Sequence, residues 1–110
     1  MNIQIFGKSK CFDTKKAERY FKERNIKFQS IDLMRFSMSR GEFDSVRKAV
    51  GSIEEMLNEK ADLSQINYLA YEEDKIEKIL DDPRYLKTPI VRNGRQATVG
   101  YQPDVWKTWE

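Results

Sequence analysis

Residues 8 to 17 read KSKCFDTKKA and hold the only cysteine of a 110-residue chain that has no histidine. Only the thiolate of a cysteine is a strong nucleophile, so its neighbours matter through what they do to the thiol proton. Lys8, Lys10, Lys15 and Lys16 surround Cys11 in sequence, opposed only by Asp13. Positive charge favours the thiolate, and so do the unpaired N–H groups at the start of a helix. Lys8 and Lys15 are the expected charge partners, and the thiol pKa is expected to be lowered. Thr14 stands where a Cys-x-x-Cys motif has its second cysteine. Its hydroxyl can donate to a thiolate but cannot form a disulfide. Asp13 or Thr14 would serve equally well as a helix cap, and that role is compatible with the first. The alternative for Cys11 is a buried small apolar residue, the usual fate of a free cysteine. Its place after a turn and before an amphipathic helix, outside any apolar run, favours the nucleophile.

What is missing narrows the chemistry further. With one cysteine and no histidine, no metal site is expected and no intramolecular disulfide can form. Cys-His and Ser-His-Asp arrangements are excluded for the same reason, so any resolving thiol must come from outside the chain. Gly7-Lys8-Ser9 resembles the end of a phosphate-binding loop, but Asn2 stands where that loop needs its first glycine. The carboxylates Glu54-Glu55, Glu72-Glu73 and Asp81-Asp82 are sequence neighbours, which diverge on a helix and do not make a glycosidase pair. Twenty basic and eighteen acidic side chains interleave to a formal charge of +2, which does not suit direct nucleic-acid binding. No apolar run approaches the roughly 20 residues that span a bilayer, and a cytoplasmic, membrane-free protein is expected.

The elements that must position Cys11 follow from periodicity. NIQIF, ending at Gly7, reads as a strand and turn. From Asp13 to about Asn25, Ala17, Tyr20, Phe21 and Arg24 share one helical face. Residues 26 to 33 form a second strand, and the β-α-β unit favours parallel pairing through a right-handed crossover. Ser39 and Glu42 spell a capping box for a helix carrying Phe43, Val46, Ala49 and Val50 as far as Gly51. Ser52 and Glu55 repeat the form before Met56 and Leu57, and Glu72 to Leu80 make a third helix ending at Asp82-Pro83. Segments 89–92 and 96–99 flank Asn93-Gly94 as an antiparallel hairpin with a type I′ turn. Pro103 starts a last helix whose Val105, Trp106 and Trp109 pack back on the sheet. The result is an α/β chain with a mixed four-stranded sheet, read as one domain over 1–110 with a helical insertion at 34–84.

That order, with Cys-x-x-Thr after the first strand, resembles the thioredoxin-like fold. Within it the chain is similar to the arsenate reductase family that uses glutathione and glutaredoxin, which also includes Spx-type transcriptional regulators. The resemblance covers nearly the whole chain and is carried by FGKSKCFDTKKA (6–17), MLNEK (56–60) and DPRYLKTPIVRNGRQATVGYQPDVW (82–106). It implies that Cys11 attacks the substrate and that Pro89 is the cis-proline beside it, with Thr88 at the thiolate. It also implies no bound cofactor, with glutathione or another external thiol as co-substrate and a glutaredoxin-type partner. The Spx branch implies instead a regulator or adaptor that binds RNA polymerase.

The family's arsenate reductases have an arginine immediately before that proline, a second just before the proline of the final segment and a third near 58–60. Here the positions hold Thr88, Tyr101 or Gln102, and the segment Asn58 to Lys60. Lys60, Arg92 and Tyr101 are the remaining candidates for holding an anion, with Arg95 a further cation on the hairpin. Losing planar, bidentate guanidinium groups removes both geometry and charge, so weak arsenate reduction is expected.

Overall fold

The computed structural model describes residues 1–110. Strand β1 (Ile3–Gly7) leads into helix α1 (Phe12–Glu23), which returns through Asn25, in the left-handed region at φ 57°, to strand β2 (Phe28–Asp32). Helix α2 (Arg40–Val50), a 3-10 turn (Ile53–Met56), a short helix α3 (Ser64–Asn67), helix α4 (Glu72–Asp81) and a second 3-10 turn (Pro83–Tyr85) follow. Strands β3 (Ile90–Asn93) and β4 (Gln96–Val99) and helix α5 (Pro103–Lys107) close the chain. The sheet order is β2-β1-β3-β4, with β1 and β2 parallel and the other two pairings antiparallel. This is the mixed sheet that the sequence implies.

Strand alternation splits the interior into two layers. Ile3, Ile5 and Val91 point to the α1 and α5 side, where they pack with Ala17, Tyr20, Phe21 and Trp106. Aromatic rings dominate there, and the Trp106 indole N–H donates to the Thr98 hydroxyl at 2.7 Å. Phe6 and Ile90 point the other way, into a larger cluster with Phe43, Val46, Met56, Ile79 and Leu86. The helical stretch thus covers a sheet face of its own.

Several expectations need correction. Ser39 forms its capping box with Glu42, but Ser52 makes no side-chain cap and the segment after it is a 3-10 turn. Leu57 leaves that turn in extended conformation and bridges to Leu86, which draws the chain off a helical path. Ala49 is exposed, and so is Val105 at 40%, because α5 is too short to bury more than the Trp106 side. Arg24 is exposed as well, with its guanidinium carbon 3.8 Å from the centre of the Tyr20 ring. In the hairpin, Asn93 pairs with Gln96, so Gly94 and Arg95 are the central residues. Only Gly94 has positive φ (61°), the pattern of a type II′ turn with glycine first and not the expected I′. Strand β2 is shorter than residues 26–33, and its Gln29 and Ser30 are exposed at the sheet edge.

Candidate functional site

Cys11 is the N-cap of α1, with extended backbone (φ −89°, ψ 115°), and it is half-buried. Its N–H donates to the Lys8 carbonyl at 3.0 Å, which closes the turn after β1, while its own carbonyl accepts from Lys15 N–H at 3.3 Å. The sulfur is thereby fixed at the end of the sheet where β1 finishes. The antiparallel register pairs Phe6 with Ile90, and extending it by two residues sets Thr88 opposite Lys8. Chain geometry alone therefore brings residues 8, 11, 88 and 89 together. The Thr88-Pro89 peptide bond is cis, and both residues are buried.

Hydroxyl and backbone groups surround the sulfur. As a thiol, Cys11 donates to the Thr88 carbonyl at 3.6 Å. Burial on its own would push the thiol pKa up. The Thr14 and Thr88 hydroxyls and the N–H groups of Thr14 and Asp13 act the other way, since each can donate to the thiolate, and the net result is a lowered pKa. Thr14 is itself held in place, because its hydroxyl oxygen accepts from Lys8 N–H at 3.4 Å. Gly7 makes room for this. A Cβ there would overlap the Thr14 methyl group and crowd its hydroxyl.

Lys8 is half-buried, and its Nζ donates to the Leu86 carbonyl at 2.8 Å. Burial lowers its pKa, against the opposing pull of Cys11 and Asp82. Next to this contact, Lys87 N–H donates to the Met56 carbonyl at 2.9 Å and Asn58 N–H to the Tyr85 carbonyl at 2.7 Å. Lys8 thus connects the thiol turn to the segment that closes the helical stretch. It also borders two grooves, one of about 280 Å³ beside Thr14, Lys15 and Asp32, the other of about 470 Å³ beside Asn58, Asp62, Asp82 and Arg84.

The other candidates lie elsewhere. Lys15 is exposed, with its Nζ 5.9 Å from the centre of the Phe12 ring, and Lys60 is exposed in a turn. Tyr101 is 40% exposed and sets its ring edge-on to Trp106, with Lys16 Nζ 5.7 Å from its centre. Arg92 is half-buried opposite Gln4, donating to Gln4 Oε1 at 2.8 Å and to Ser45 Oγ at 3.3 Å. Four residues of extended chain, about 13 Å, separate it from Thr88. Arg95 occupies the hairpin turn. Sequence reading missed two features of the site. One is the Lys8 to Leu86 link, which joins residues 78 apart. The other is Gly7, whose role was legible only once Thr14 had a position.

No group of three or more His, Cys, Asp or Glu side chains is placed to hold a metal ion, and no helix is long and apolar enough to cross a membrane. The arrangement is suited to a thiolate that attacks an electrophile from an exposed edge, held by neutral donors.

The sequence model of the ArsC family matches residues 6–109. The chain belongs to the ArsC family. That span contains the whole site, from Gly7 to Tyr101. A relative, the global transcriptional regulator Spx 2 of Oceanobacillus iheyensis, is 28% identical over 109 residues, covering 94% of this chain and 80% of its own length. Among solved structures, an ArsC-family-related protein from Bacteroides fragilis superposes with a TM-score of 0.83 at 19% identity, with 100% of both chains covered. The arsenate reductase from Vibrio cholerae superposes at 0.82 with 21% identity over 96% of this chain and 94% of its own. The glutaredoxin-like NrdH-redoxin of Escherichia coli reaches 0.54 at 14% identity, covering 100% of this chain and 96% of its own. The fold of this ArsC-family chain is accordingly thioredoxin-like.

Proposed function

We propose that this protein is an arsenate-reductase-like thiol oxidoreductase that works through Cys11 and an external thiol of the glutathione or glutaredoxin type. Residues 1–110 act as one domain, in which 34–84 is an insertion between β2 and the hairpin. The observation that carries this reading is the place of the Cys11 sulfur at the N-cap of α1, 3.6 Å from the Thr88 carbonyl beside the cis-Pro89.

The Cys11 thiolate attacks one sulfur of a substrate disulfide. A Cys11–S–S–R bond forms, the substrate S–S bond breaks and the departing thiolate takes up a proton. A second external thiolate then attacks the R sulfur, which gives a new disulfide and returns Cys11 as thiolate, stabilised by Thr14 and Thr88. Lys8 favours the negative charge on Cys11 in both steps. Arsenate is a poor substrate in this account, because Thr88 and Tyr101 stand where guanidinium groups would receive it. The setting is cytoplasmic, with neither metal nor membrane involved.

The Spx 2 relative supports a second reading, a regulator that binds a protein partner such as RNA polymerase. A titration of Cys11 alkylation against pH separates the two. The enzyme reading expects a midpoint below the ordinary thiol value of about 8.5 and a mixed disulfide with glutathione. An unshifted midpoint with no glutathionylation would leave only the regulator. Arsenate turnover with glutathione and glutaredoxin, measured against Cys11→Ser, then fixes the substrate.

A further inference from the structure

The groove between α1 and α5, about 400 Å³, gathers cations on the opposite layer from the helical insertion. Lys16, Arg19 and Arg24 line it from α1 and Lys107 from α5, with Glu23 the acid among the lining residues and Asp104 and Glu110 close to the Tyr20 phenol. Lys16 and Lys107 hold only their own-helix partners Asp13 and Asp104, each at 3.9 Å and largely in solvent. Arg19 and Arg24 make no ion pair. Beneath them lies a second, independent anomaly. The Tyr20 hydroxyl is buried without a hydrogen-bond partner, in a residue only 5% exposed that lines the groove. Buried hydroxyls are normally paired. Arg24 lies over the face of that ring, its guanidinium carbon 3.8 Å from the centre.

We propose that this groove docks an acidic segment of a partner polypeptide, laid along α1 with its carboxylates on Arg19, Arg24 and Lys107 and one of them accepting the Tyr20 hydroxyl. Charge complementarity and the layout of the cations select that occupant. From Lys16 to Arg24 the charges are spread over about 12 Å of helix, the length of roughly four extended residues, whereas a compact phosphate needs its donors convergent. Tyr101, 40% exposed, and Pro103 line the α5 side and give it apolar ring surface for a peptide side chain. The groove does not depend on the chemistry of Cys11.

The test uses the full chain and a fluorescein-labelled, glutamate-rich octapeptide containing one leucine. Anisotropy gives the affinity, and amide chemical shifts give the location. The expected result is shifts concentrated at residues 19–24 and 101–107, and affinity at least about tenfold weaker for the double variant Arg19→Glu, Lys107→Glu. Tyr20→Phe, which removes one oxygen, weakens binding about threefold. Cys11→Ser binds as the native chain does, so failure of the thiol reading leaves this result intact. Equal weakening by Lys48→Glu with Arg95→Glu on the other side of the molecule would overturn the proposal as diffuse charge attraction. Tripolyphosphate binding at the same residues more tightly than the peptide would overturn it in favour of a small-anion site.

Discussion

The two ends of the β1-β3 pair carry different chemistry. At the Gly7 and Ile90 end, a sulfur meets two buried threonines, a cis-proline and one lysine. At the Ile3 and Asn93 end, Arg92 donates to Gln4 and Ser45, and Arg95 occupies the turn. Hydroxyl and backbone groups thus stand at the thiol with Lys8 as the one cation, whereas the Arg92 guanidinium is held by Gln4 and Ser45. Hydroxyl and backbone donors stabilise an anion on the protein without recruiting a charged substrate, whereas arginines do both. The difference argues for chemistry on sulfur over chemistry on an oxyanion.

The largest effect that would break this contrast is at the sulfur. Cys11→Ser removes all alkylation and all mixed-disulfide formation, readable by intact mass, because the chain has no other thiol. Thr88→Arg, restoring a guanidinium at the thiol end, is expected to raise arsenate turnover by about tenfold or more in a coupled assay. No gain would mean that the missing arginine is not what limits arsenate. Thr14→Val should slow alkylation at pH 7 by about tenfold, since a hydrogen bond to a charged acceptor is worth about 1.5–3 kcal/mol. Arg92→Ala at the other end leaves alkylation within about twofold and lowers stability by about 1 kcal/mol in urea melts. The smallest effect is linkage. The folded Cys11 pKa lies below its unfolded value, so its contribution is fully present above about pH 8.5 and is lost as pH falls through the lowered value. The stability difference between the native chain and Cys11→Ser should therefore grow with pH across that window.

Local signals in the sequence carried the thiol end well. The turn after β1, the amphipathic α1 and the Ser39 box depend on nearby residues, and each formed where its pattern lay. Placing Thr88 and Pro89 at Cys11 needed the fold as a whole, since strand register and not spacing brings them there. Reading faltered where tertiary contacts override local preference. Ser52 repeats the Ser39 pattern, yet the Leu57 to Leu86 bridge pulls its segment out of helix. Short α3 carries too few apolar residues for a periodic signal, with Ile66 alone buried. Arg92 reads as a strand cation available to a ligand, and only the packing of α2 against the sheet shows it occupied by Ser45 and Gln4.

Gly7 sits behind the thiol, against Thr14. Its missing side chain is what lets Thr14 close on the sulfur. The acidity of the thiol is thus set in part by a side chain that is absent, whose place Thr14 takes. Adding one methyl group there would disarm Cys11 from behind, with the reacting surface chemically unaltered.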